Sequence, residues 1–557
     1  MIRIATILIL AFLLRLYGVN WDQGFHLHPD ERQLIFVADK IHFFDNLNPA
    51  FFNYGTLPIY LLKGLTEAFD SLLGTNVANY NGMLYVGRAL SLGVDLLTIY
   101  LIYKIALWLF KKERLALLSC FLYSISFFTI QNSHFFIVDT FLTFFTTALF
   151  YLLLFYLNQP RLRTILLLGI VFATSLTTKI TAIIWLPILA LVVIAKNINP
   201  GRLNLKQFNS AVTSLTLFIT VVLSFGFLFM PYAFLDHSKF IADVLAQIKL
   251  NSDPYVFPYT LQYVYTLPYL YSLSNIFLWG LGPIIGVLSV IGLYYIVKEL
   301  LLKRQSPNLL FFLAFYLYYF LIIGKSAAKF MRYMLPIYPF LAIIAGYGLW
   351  SAITKIPILF PPGKGAVKPA QPLKTKIVYQ VLGIIILISA FLWTLAFLNI
   401  YSHPHTRISS SEWINQNVAA GSTLAVEHWD DRLPLFAQEK YNFVELTLYD
   451  QPDDANKWQV MEQKLKSADY IILASNRLFV PLQKLADCNK YKVCYPETAR
   501  YYRQLFDGSL GFGKVAEFVV YPSLQIGSWK WQINDQTSDE SFTVYDHPKV
   551  IIFKKNK

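Results

Sequence analysis

Charged and polar side chains interrupt the long apolar runs of the first 400 residues at only a few positions. An ionisable group at bilayer depth is costly, so each such residue is a functional candidate. Two acids, Asp30 and Glu31, stand side by side shortly after the first apolar run. The other candidates are Arg88, His134, Asp139, Lys179, Lys325, Lys329 and Arg332. Acids and cations gathered at one depth predict a polar site at the membrane surface.

Such a site suits the transfer of a group from a lipid-linked phosphate. Cations would hold the phosphate and stabilise the negative charge that develops on it as the bond breaks. A carboxylate in the loop after the first apolar run would accept a proton from the attacking hydroxyl, and the helices would orient both reactants. A nucleotide-sugar donor would instead predict a cytoplasmic site with an acidic metal-binding pair, and no such pair stands out in the cytoplasmic loops.

Each candidate also has a simpler structural explanation. Asp30 could stabilise the first turn of a surface helix, and Asp139 could cap the next membrane helix. Arg88 and Lys179 could reach lipid headgroups, and His134 could be an interfacial histidine without a chemical role. The argument for a site therefore rests on the common side of the membrane on which these residues lie.

The elements that must position these residues are membrane helices. Of 557 residues, 56% are hydrophobic and 14% charged, whereas soluble domains are about one-quarter charged. A run of about 20 apolar residues can cross a hydrocarbon core of about 30 Å. Eleven runs are predicted, near residues 2–18, 84–110, 115–131, 139–157, 163–178, 180–196, 210–230, 274–298, 308–324, 333–352 and 377–400. No small-residue cleavage site follows the first run, which predicts a retained helix rather than a signal peptide.

The net charge of +14 comes largely from short loops between these runs. That placement is typical of membrane topology and of contact with anionic lipids, and it argues against nucleic acid as a partner. The five basic loops are 111–114, 161–163, 196–206, 298–304 and 355–376. They fall on alternate connections, so the positive-inside rule places the N-terminus in the cytoplasm and the tail outside. Every candidate charge then lies on the extracytoplasmic side of a cell membrane, which we expect to be the plasma membrane.

Two domains are predicted. Residues 1–400 form the transmembrane domain, whose long first external loop, 19–83, carries two amphipathic surface helices. These are Gln33–Phe44 and Leu57–Leu72. A second long external loop, Pro231–Ser272, is rich in tyrosine, which favours the membrane interface. Residues 401–557 form a soluble extracytoplasmic domain.

Alternating strand and helix patterns predict that this C-terminal domain has an α/β fold. A capping box at Ser409–Glu412 predicts a helix that runs through Val418. Strands are predicted at Thr423–His428, Phe443–Tyr449, Tyr470–Ala474, Val515–Tyr521 and Phe542–Phe553, with helices at Lys457–Ser467 and Thr498–Phe506.

Three cysteines are too few for a zinc cluster or a disulfide framework. Cys120 lies inside an apolar run, where inert packing is expected. Cys488 and Cys494 are close in the tail, and a local disulfide is possible there if the tail lies outside the cytoplasm. Two unpaired thiols are the equal alternative.

The order of the polar motifs resembles that of polytopic glycosyltransferases with the C-type fold. The nearest branch holds the protein O-mannosyltransferases and the bacterial lipid A aminoarabinose transferase. The matching motifs are His28–Glu31, Asn53–Pro58, Gly87–Ser91, Ser133-His134, Asp139, Thr178-Lys179 and Arg332–Pro339. The resemblance covers roughly residues 1–400. The tail motifs Glu427–Asp431 and Val544–Pro548 look like those of other prokaryotic members.

This resemblance implies a membrane enzyme that moves a sugar from a polyprenyl-phosphate carrier to an extracytoplasmic protein, lipid or glycan. The anomeric carbon would be inverted. Asp30 matches the family's first-loop acid, the base or acceptor-orienting group, and Glu31 is its neighbour. The donor-phosphate residues that the resemblance implies are Arg88, Lys179 and Arg332, and the second polar motif, at the mouth of the site, is His134 with Asp139.

The sequence departs from the family at two places. Thr56-Leu57-Pro58 replaces the proline-proline motif common in the first loop, which puts that part of donor recognition in doubt. The Trp-Trp-Asp-Tyr-Gly signature of oligosaccharyltransferases is absent, which argues against transfer of a whole glycan to asparagine. Some relatives bind zinc, but no ligand set is evident. No obligatory cofactor or metal is therefore predicted, and a divalent metal stays open.

Two other functions compete with this hypothesis. A transporter or flippase of a lipid-linked intermediate would have inverted repeats and polar residues near the middle of the membrane, whereas the candidates gather at one face. A sensor with a ligand-binding tail would need a cytoplasmic output domain, and the longest cytoplasmic segment is about Lys355–Lys376.

Overall fold

The structure, a computed structural model, describes residues 2–198, 204–303, 307–355 and 373–556. The N-terminal part is helical. Its helices are α1 (Ile2–Leu16), α2 (Pro29–Asp39), α3 (Leu57–Leu73), α4 (Tyr80–Phe110), α5 (Glu113–Ser124), α6 (Phe127–Ser133), α7 (Val138–Asn158), α8 (Leu162–Thr178), α9 (Leu186–Ala195), α10 (Leu205–Phe229), α11 (Tyr232–Leu235), α12 (His237–Ser252), α13 (Leu270–Asn275), α14 (Pro283–Lys303), α15 (Pro307–Ile323), α16 (Tyr338–Lys355) and α17 (Leu373–Leu398).

These helices form a multi-pass membrane domain. Among the described residues, six helices are long and apolar enough to cross a membrane, and the pair α5 and α6, bent by 61°, would make a seventh. Three further apolar segments, α8, Ile180–Ala195 and α15, are shorter. Each of the eleven predicted runs contains one of these helices or α1, but eleven crossings are not confirmed. Arg202, Arg304, Lys364 and Lys368, on which the predicted orientation partly depends, lie outside the described residues.

The first long loop folds into two helices, as predicted. α2 begins at Pro29 and ends at Asp39, earlier than the predicted Phe44, and α3 spans Leu57–Leu73. Between them, the Gly55 amide donates to the Thr178 carbonyl at 3.0 Å. A Cβ atom on Gly55 would lie 1.9 Å from the Thr177 carbonyl oxygen. Only glycine therefore allows this loop to contact the C-terminal end of α8.

The C-terminal domain has the predicted α/β character. Its helices are α18 (Thr406–Asn417), α19 (Ala455–Ser467), α20 (Phe479–Lys484), α21 (Pro496–Asp507) and α22 (Glu540–Thr543). Its strands are β1 (Thr423–Glu427), β2 (Asn442–Leu446), β3 (Tyr470–Leu473), β4 (Phe512–Phe518), β5 (Ser523–Ile526), β6 (Trp529–Gln532) and β7 (Val550–Lys555). Five strands form one sheet in the order β2-β1-β3-β7-β4, and β5 pairs with β6.

The sheet is parallel on one side and antiparallel on the other. β1 runs parallel to β2 and β3, and β7 runs antiparallel to β3 and β4. Apolar side chains of β1, β3 and β7 are buried on both faces of the sheet, as expected for central strands with helices packed against them.

Several details of the tail differ from the predictions. α18 begins at Thr406, and His405 rather than a serine caps it by accepting from the Arg407 amide at 3.1 Å. The predicted strand Phe542–Phe553 begins only at Val550, because the Phe542 segment folds into α22. The β5–β6 hairpin was not predicted. Cys488 and Cys494 form a disulfide, so they are not the unpaired thiols of the alternative prediction.

The C-terminal domain is joined to the membrane helices by a buried polar contact. Asp546 accepts hydrogen bonds from Gln131 Nε2 at 2.9 Å and from the Tyr401 hydroxyl at 2.8 Å. His547 lies between Asp546 and Asp535, at 2.5 and 2.8 Å. The cluster fixes the C-terminal domain against α6 and the end of α17, and its members other than Tyr401 are fully buried or nearly so.

Candidate functional site

A cavity of about 670 Å³ lies between the membrane domain and the C-terminal domain. Both domains supply charged side chains to its wall. The membrane domain contributes Asp30, Arg32 and Arg332, and the C-terminal domain contributes Arg407, Asp430, Asp431, Arg477 and Glu540. The aromatic residues that line the cavity beside these charges are Phe51, Tyr54, Tyr259, Phe330, Tyr333, Trp429 and Tyr545. A polar cavity of this size at a domain boundary is the default candidate for a binding site.

Asp30 and Arg332 form an ion pair at the cavity wall, with 2.7 Å between Oδ2 and Nη1. The Asp30 side chain is 21% exposed and that of Arg332 is 10% exposed. Asp139 lies behind Arg332, with 3.7 Å between Asp139 Oδ2 and Arg332 Nε. Lys179 Nζ lies 2.7 Å from the other Asp139 oxygen. Four of the seven predicted site residues thus form one continuous charge network.

Four separate chain segments bring this network together. Asp30 is in the first turn of α2, and Asp139 is in the first turn of α7. Lys179 follows the last residue of α8, and Arg332 lies in the 3₁₀ turn Met331–Ile337 before α16. The four residues therefore lie at or just beyond the ends of helices, and these ends meet beside the cavity.

The charge state of Asp30 follows from its surroundings. Burial alone would raise the pKa of this carboxyl, but the charges of Arg332 and His28 lower it, and the net effect is a pKa below the ordinary value of 3.8. Asp30 is therefore ionised at neutral pH and can accept a hydrogen bond or a proton from a group in the cavity.

The C-terminal domain reaches the same network. The Tyr545 hydroxyl accepts a hydrogen bond from Arg332 Nη1 at 3.1 Å. Arg407 contacts Asp430 at 2.7 Å and Asp431 at 2.6 Å. None of these tail residues was predicted to belong to the site, although the tail motifs that contain Asp430, Asp431 and Tyr545 were noted. These residues lie 75 to 213 positions from Arg332 in the sequence, which hid their proximity.

Arg88 and Glu31 lie in a second, fully buried cluster outside the cavity wall. All five N–H groups of Arg88 reach acceptors: two on Glu31 at 3.0 and 2.7 Å, two on Asp22 at 2.9 Å, and the Val19 carbonyl at 2.7 Å. Glu31 also accepts from the Phe136 amide at 2.8 Å. Arg88 has no N–H left for a phosphate in this arrangement, and Asp22 is a partner that the sequence did not reveal.

His134 is also separated from the charge network. Its side chain is fully buried behind the cavity and meets the ring of Tyr401 edge-on, with ring centroids 4.7 Å apart. Asp139, its predicted partner in the second polar motif, instead contacts Lys179 and Arg332. The two residues of the predicted second polar motif therefore lie in different places: His134 is a buried packing residue, and Asp139 belongs to the charge network.

The residues around the cavity do not fit a divalent metal. Among the parts of the chain that the structure describes, no group of three or more His, Cys, Asp or Glu side chains could hold a metal ion. The network carboxylates, Asp30 and Asp139, already face cations. The absence of an obligatory metal stays a prediction.

The sequence and the fold were compared with known proteins. Residues 81–225 match the family model described as dolichyl-phosphate-mannose-protein mannosyltransferase. No curated protein sequence matches the chain. Over 96% of this chain and 74% of the other, the structure resembles the oligosaccharyltransferase of Archaeoglobus fulgidus in the apo form, with a TM-score of 0.52 and 11% identity. The chain has the C-type glycosyltransferase fold.

Two further structures are similar. The same archaeal enzyme, AglB, in complex with an inhibitory peptide and a dolichol-phosphate, matches with a TM-score of 0.50 and 12% identity, over 96% of this chain and 74% of that one. ArnT from Cupriavidus metallidurans bound to undecaprenyl phosphate matches with a TM-score of 0.48 and 15% identity, over 85% of this chain and 92% of that one. The family match and the two structures of the archaeal enzyme confirm the predicted resemblance and the enzyme class, a membrane glycosyltransferase.

Proposed function

We propose that the protein transfers a sugar from a polyprenyl-phosphate carrier to a hydroxyl group of an acceptor in the cavity between its two domains. The observation that carries this proposal is the Asp30–Arg332 pair at the cavity wall, where an ionised carboxylate and a guanidinium lie side by side. The dolichol-phosphate bound to AglB supports the choice of donor.

The proposed reaction is a single displacement with inversion. The donor phosphate replaces Asp30 as the partner of Arg332, which frees the carboxylate to accept a hydrogen bond from the acceptor hydroxyl. The hydroxyl oxygen then forms a bond to the anomeric carbon as the bond from that carbon to the phosphate oxygen breaks. The phosphate leaves with the electron pair, Arg332 stabilises its negative charge, and Asp30 takes the hydroxyl proton.

The other predicted residues act through these two groups. Asp139 and Lys179 lie behind Arg332 and hold its guanidinium toward the cavity. Arg88 and Glu31 anchor α2, and so place Asp30 at the first turn of that helix. We therefore assign Arg88 and Glu31 a positioning role rather than contact with the donor.

We further propose that the site faces away from the cytoplasm, with a cytoplasmic N-terminus and the C-terminal domain outside the plasma membrane. The basic loops support this orientation. The Cys488–Cys494 disulfide agrees with it, since disulfides persist in oxidising compartments. The acceptor is then an extracytoplasmic protein, lipid or glycan.

The test uses purified full-length protein with radiolabelled polyprenyl-phosphate sugars and candidate acceptors. Asp30→Asn should lower the rate of transfer by at least about 100-fold, the usual scale for loss of a general base. Asp39→Asn, at the other end of the same helix, is the matched control and should keep the parental rate. Equal rates of transfer for Asp30→Asn and the parent would disprove the role of Asp30 as the base. Movement of the carrier across vesicles without sugar transfer would favour a flippase.

A further inference from the structure

A second cavity, of about 500 Å³, lies beside the first. Phe330 packs between Tyr259, which faces the first cavity, and Tyr263, which lines the second, with ring centroids 6.0 and 5.4 Å apart. We call the second space the lysine cavity. Its lining residues are Asn251, Ser252, Pro254, Tyr263, Tyr265, Thr266, Pro268, Ile322, Lys325, Ser326, Ala327 and Lys329.

The charges of the two cavities differ. The wall of the first cavity carries both acids and cations, such as the paired Asp30 and Arg332. The lining of the lysine cavity contains two lysines and no acid. The Ser326 hydroxyl adds a hydrogen-bond donor to this wall, whereas the hydroxyls of Ser252 and Thr266 already donate to backbone carbonyls, each at 2.7 Å. An anion would therefore find cationic and neutral donors there without a repelling carboxylate.

Lys329 is the most informative residue of this wall. It is 8% exposed, and in the described part of the chain no carboxylate lies within ion-pair distance of it. Its ammonium donates to the Ala327 carbonyl at 3.2 Å and lies 6.0 Å from the centre of the Tyr263 ring. Burial and the charge of Lys484 both lower the pKa of Lys329. A buried cation without an acid costs stability, so its presence calls for an external partner.

The position of this cavity indicates where that partner comes from. Lys325 and Lys329 lie between the end of α15 at Ile323 and the apolar segment that begins at Met331. Apolar side chains around the opening are exposed, including Ile322 at 39% and Leu267 at 65%. This is the level at which lipid headgroups carry their phosphates, and basic side chains at that level attract anionic lipids.

We propose that the lysine cavity binds the phosphate group of a membrane lipid, with Lys329 at its base and Lys325 at its rim. The Ser326 hydroxyl adds a further donor, and the lipid chains extend along the exposed apolar side chains beside the opening. This site is independent of the sugar-transfer site, because the Phe330 layer separates the two cavities.

The test measures lipid binding to the delipidated full-length protein in detergent by native mass spectrometry. The probes are phosphatidylglycerol, phosphatidylcholine and inorganic phosphate. Phosphatidylglycerol should bind more tightly than phosphatidylcholine, and Lys329→Met and Lys325→Gln should each weaken it about five- to tenfold, the scale of one cation–phosphate contact. Lys530→Gln, an exposed lysine of β6, and Arg332→Met, in the first cavity, should leave this binding unchanged.

Several results would overturn the proposal. One is equal phosphatidylglycerol affinity of the parent and Lys329→Met. Another is displacement of the lipid by millimolar inorganic phosphate, which would assign the site to a free anion. A third is a lower thermal unfolding midpoint of Lys329→Met without lipid, because that would show that the ammonium serves the fold through Ala327. We expect an unchanged or higher midpoint. An effect of Arg332→Met equal to that of Lys329→Met would place the lipid in the first cavity.

Discussion

Two acids that are neighbours in the sequence have different environments. Asp30 faces the cavity and contacts Arg332, whereas Glu31 is fully buried against Arg88. The reason is helical geometry, since adjacent residues of a helix point about 100° apart and do not share a face. A pair of acids that resembles one catalytic unit in the sequence is therefore one candidate base and one anchor.

The anchor can be tested by its effect on stability. Glu31→Gln leaves the Arg88 charge partly uncompensated in a buried site, which costs about 3–5 kcal/mol when one partner of such a pair is removed. We expect a clearly lower unfolding midpoint of the detergent-solubilised protein. Glu113→Gln is the control: Glu113 lies 3.8 Å from Arg3, and both side chains are exposed, at 47% and 69%, so its loss should cost less than about 1 kcal/mol. Equal shifts for both variants would contradict the anchor role.

At the residue level, the sequence identified the charges but not their partners. Asp30, Asp139, Lys179 and Arg332 were predicted as one site and do form one network. Arg88 and His134 were predicted for the same site and lie in other buried environments. Hydropathy reveals that a charge is out of place in a membrane, but not which of several carboxylates will pair with it.

Among the elements, the loop between α2 and α3 requires glycine at one position. Gly55 lies against the backbone of Thr177 and Thr178, directly before Lys179. A methyl group at this position would push the loop away from α8 and shift one side of the charge network.

Gly55→Ala should therefore lower both stability and sugar transfer. A Cβ atom 1.9 Å from a backbone oxygen cannot be accommodated without movement of the chain, and such overpacking costs about 1–3 kcal/mol. Gly93→Ala is the matched control, because no atom lies within 4 Å of a Cβ atom at that helical position. Thermal unfolding and the transfer assay report the two effects. A fully active and equally stable Gly55→Ala protein would show that the loop contact has no role.

Glu427, the last residue of β1, predicts that the stability of the fold depends on pH. Burial raises the pKa of Glu427 to about 8 from an ordinary value of 4.5, and its carboxyl contacts the Tyr502 hydroxyl. The folded state thus holds this proton more tightly than the unfolded state. The contribution to stability is present below pH 4.5 and is lost as the pH rises toward 8.

We therefore expect the unfolding midpoint to fall between pH 5 and pH 8. Glu427→Gln should flatten this decline, since the amide does not titrate. Glu412→Gln, a carboxylate of α18 with an unburied side chain, serves as the control and should keep the parental profile. The same slope in the parent and in Glu427→Gln would exclude this carboxyl as the cause.

The type of most elements could be predicted from the sequence, but their ends could not. Apolar runs of about 20 residues and alternating tail patterns correctly indicated helices and strands. The prediction of one strand at Phe542–Phe553 was wrong because the apolar residues of this segment belong to two elements. Phe542 packs on the membrane helices, and Val550 begins a central strand. Short elements such as α22 carry too little pattern to be separated from the strand that follows them.

For the whole molecule, the main feature is a site made by two domains. The membrane domain alone supplies Asp30 and Arg332, but the C-terminal domain closes the cavity over them. This arrangement could not be predicted, because a hydropathy pattern locates a soluble tail without locating the surface on which it packs. The buried contacts of Asp546 with Gln131 and Tyr401 hold the two domains together.

Tyr545 offers a direct test of the contribution of the C-terminal domain. Its hydroxyl accepts from Arg332 Nη1 at 3.1 Å, so Tyr545→Phe removes one of the contacts that orient the guanidinium while it keeps the buried ring. One such hydrogen bond to a charged group is worth about 1.5–3 kcal/mol, which corresponds to at least about a tenfold loss in kcat/KM for the donor. Tyr521→Phe, in the same domain, should match the parent. If Arg332 needs no support from the C-terminal domain, Tyr545→Phe will transfer sugar at the parental rate, and the domain then serves only to enclose the cavity.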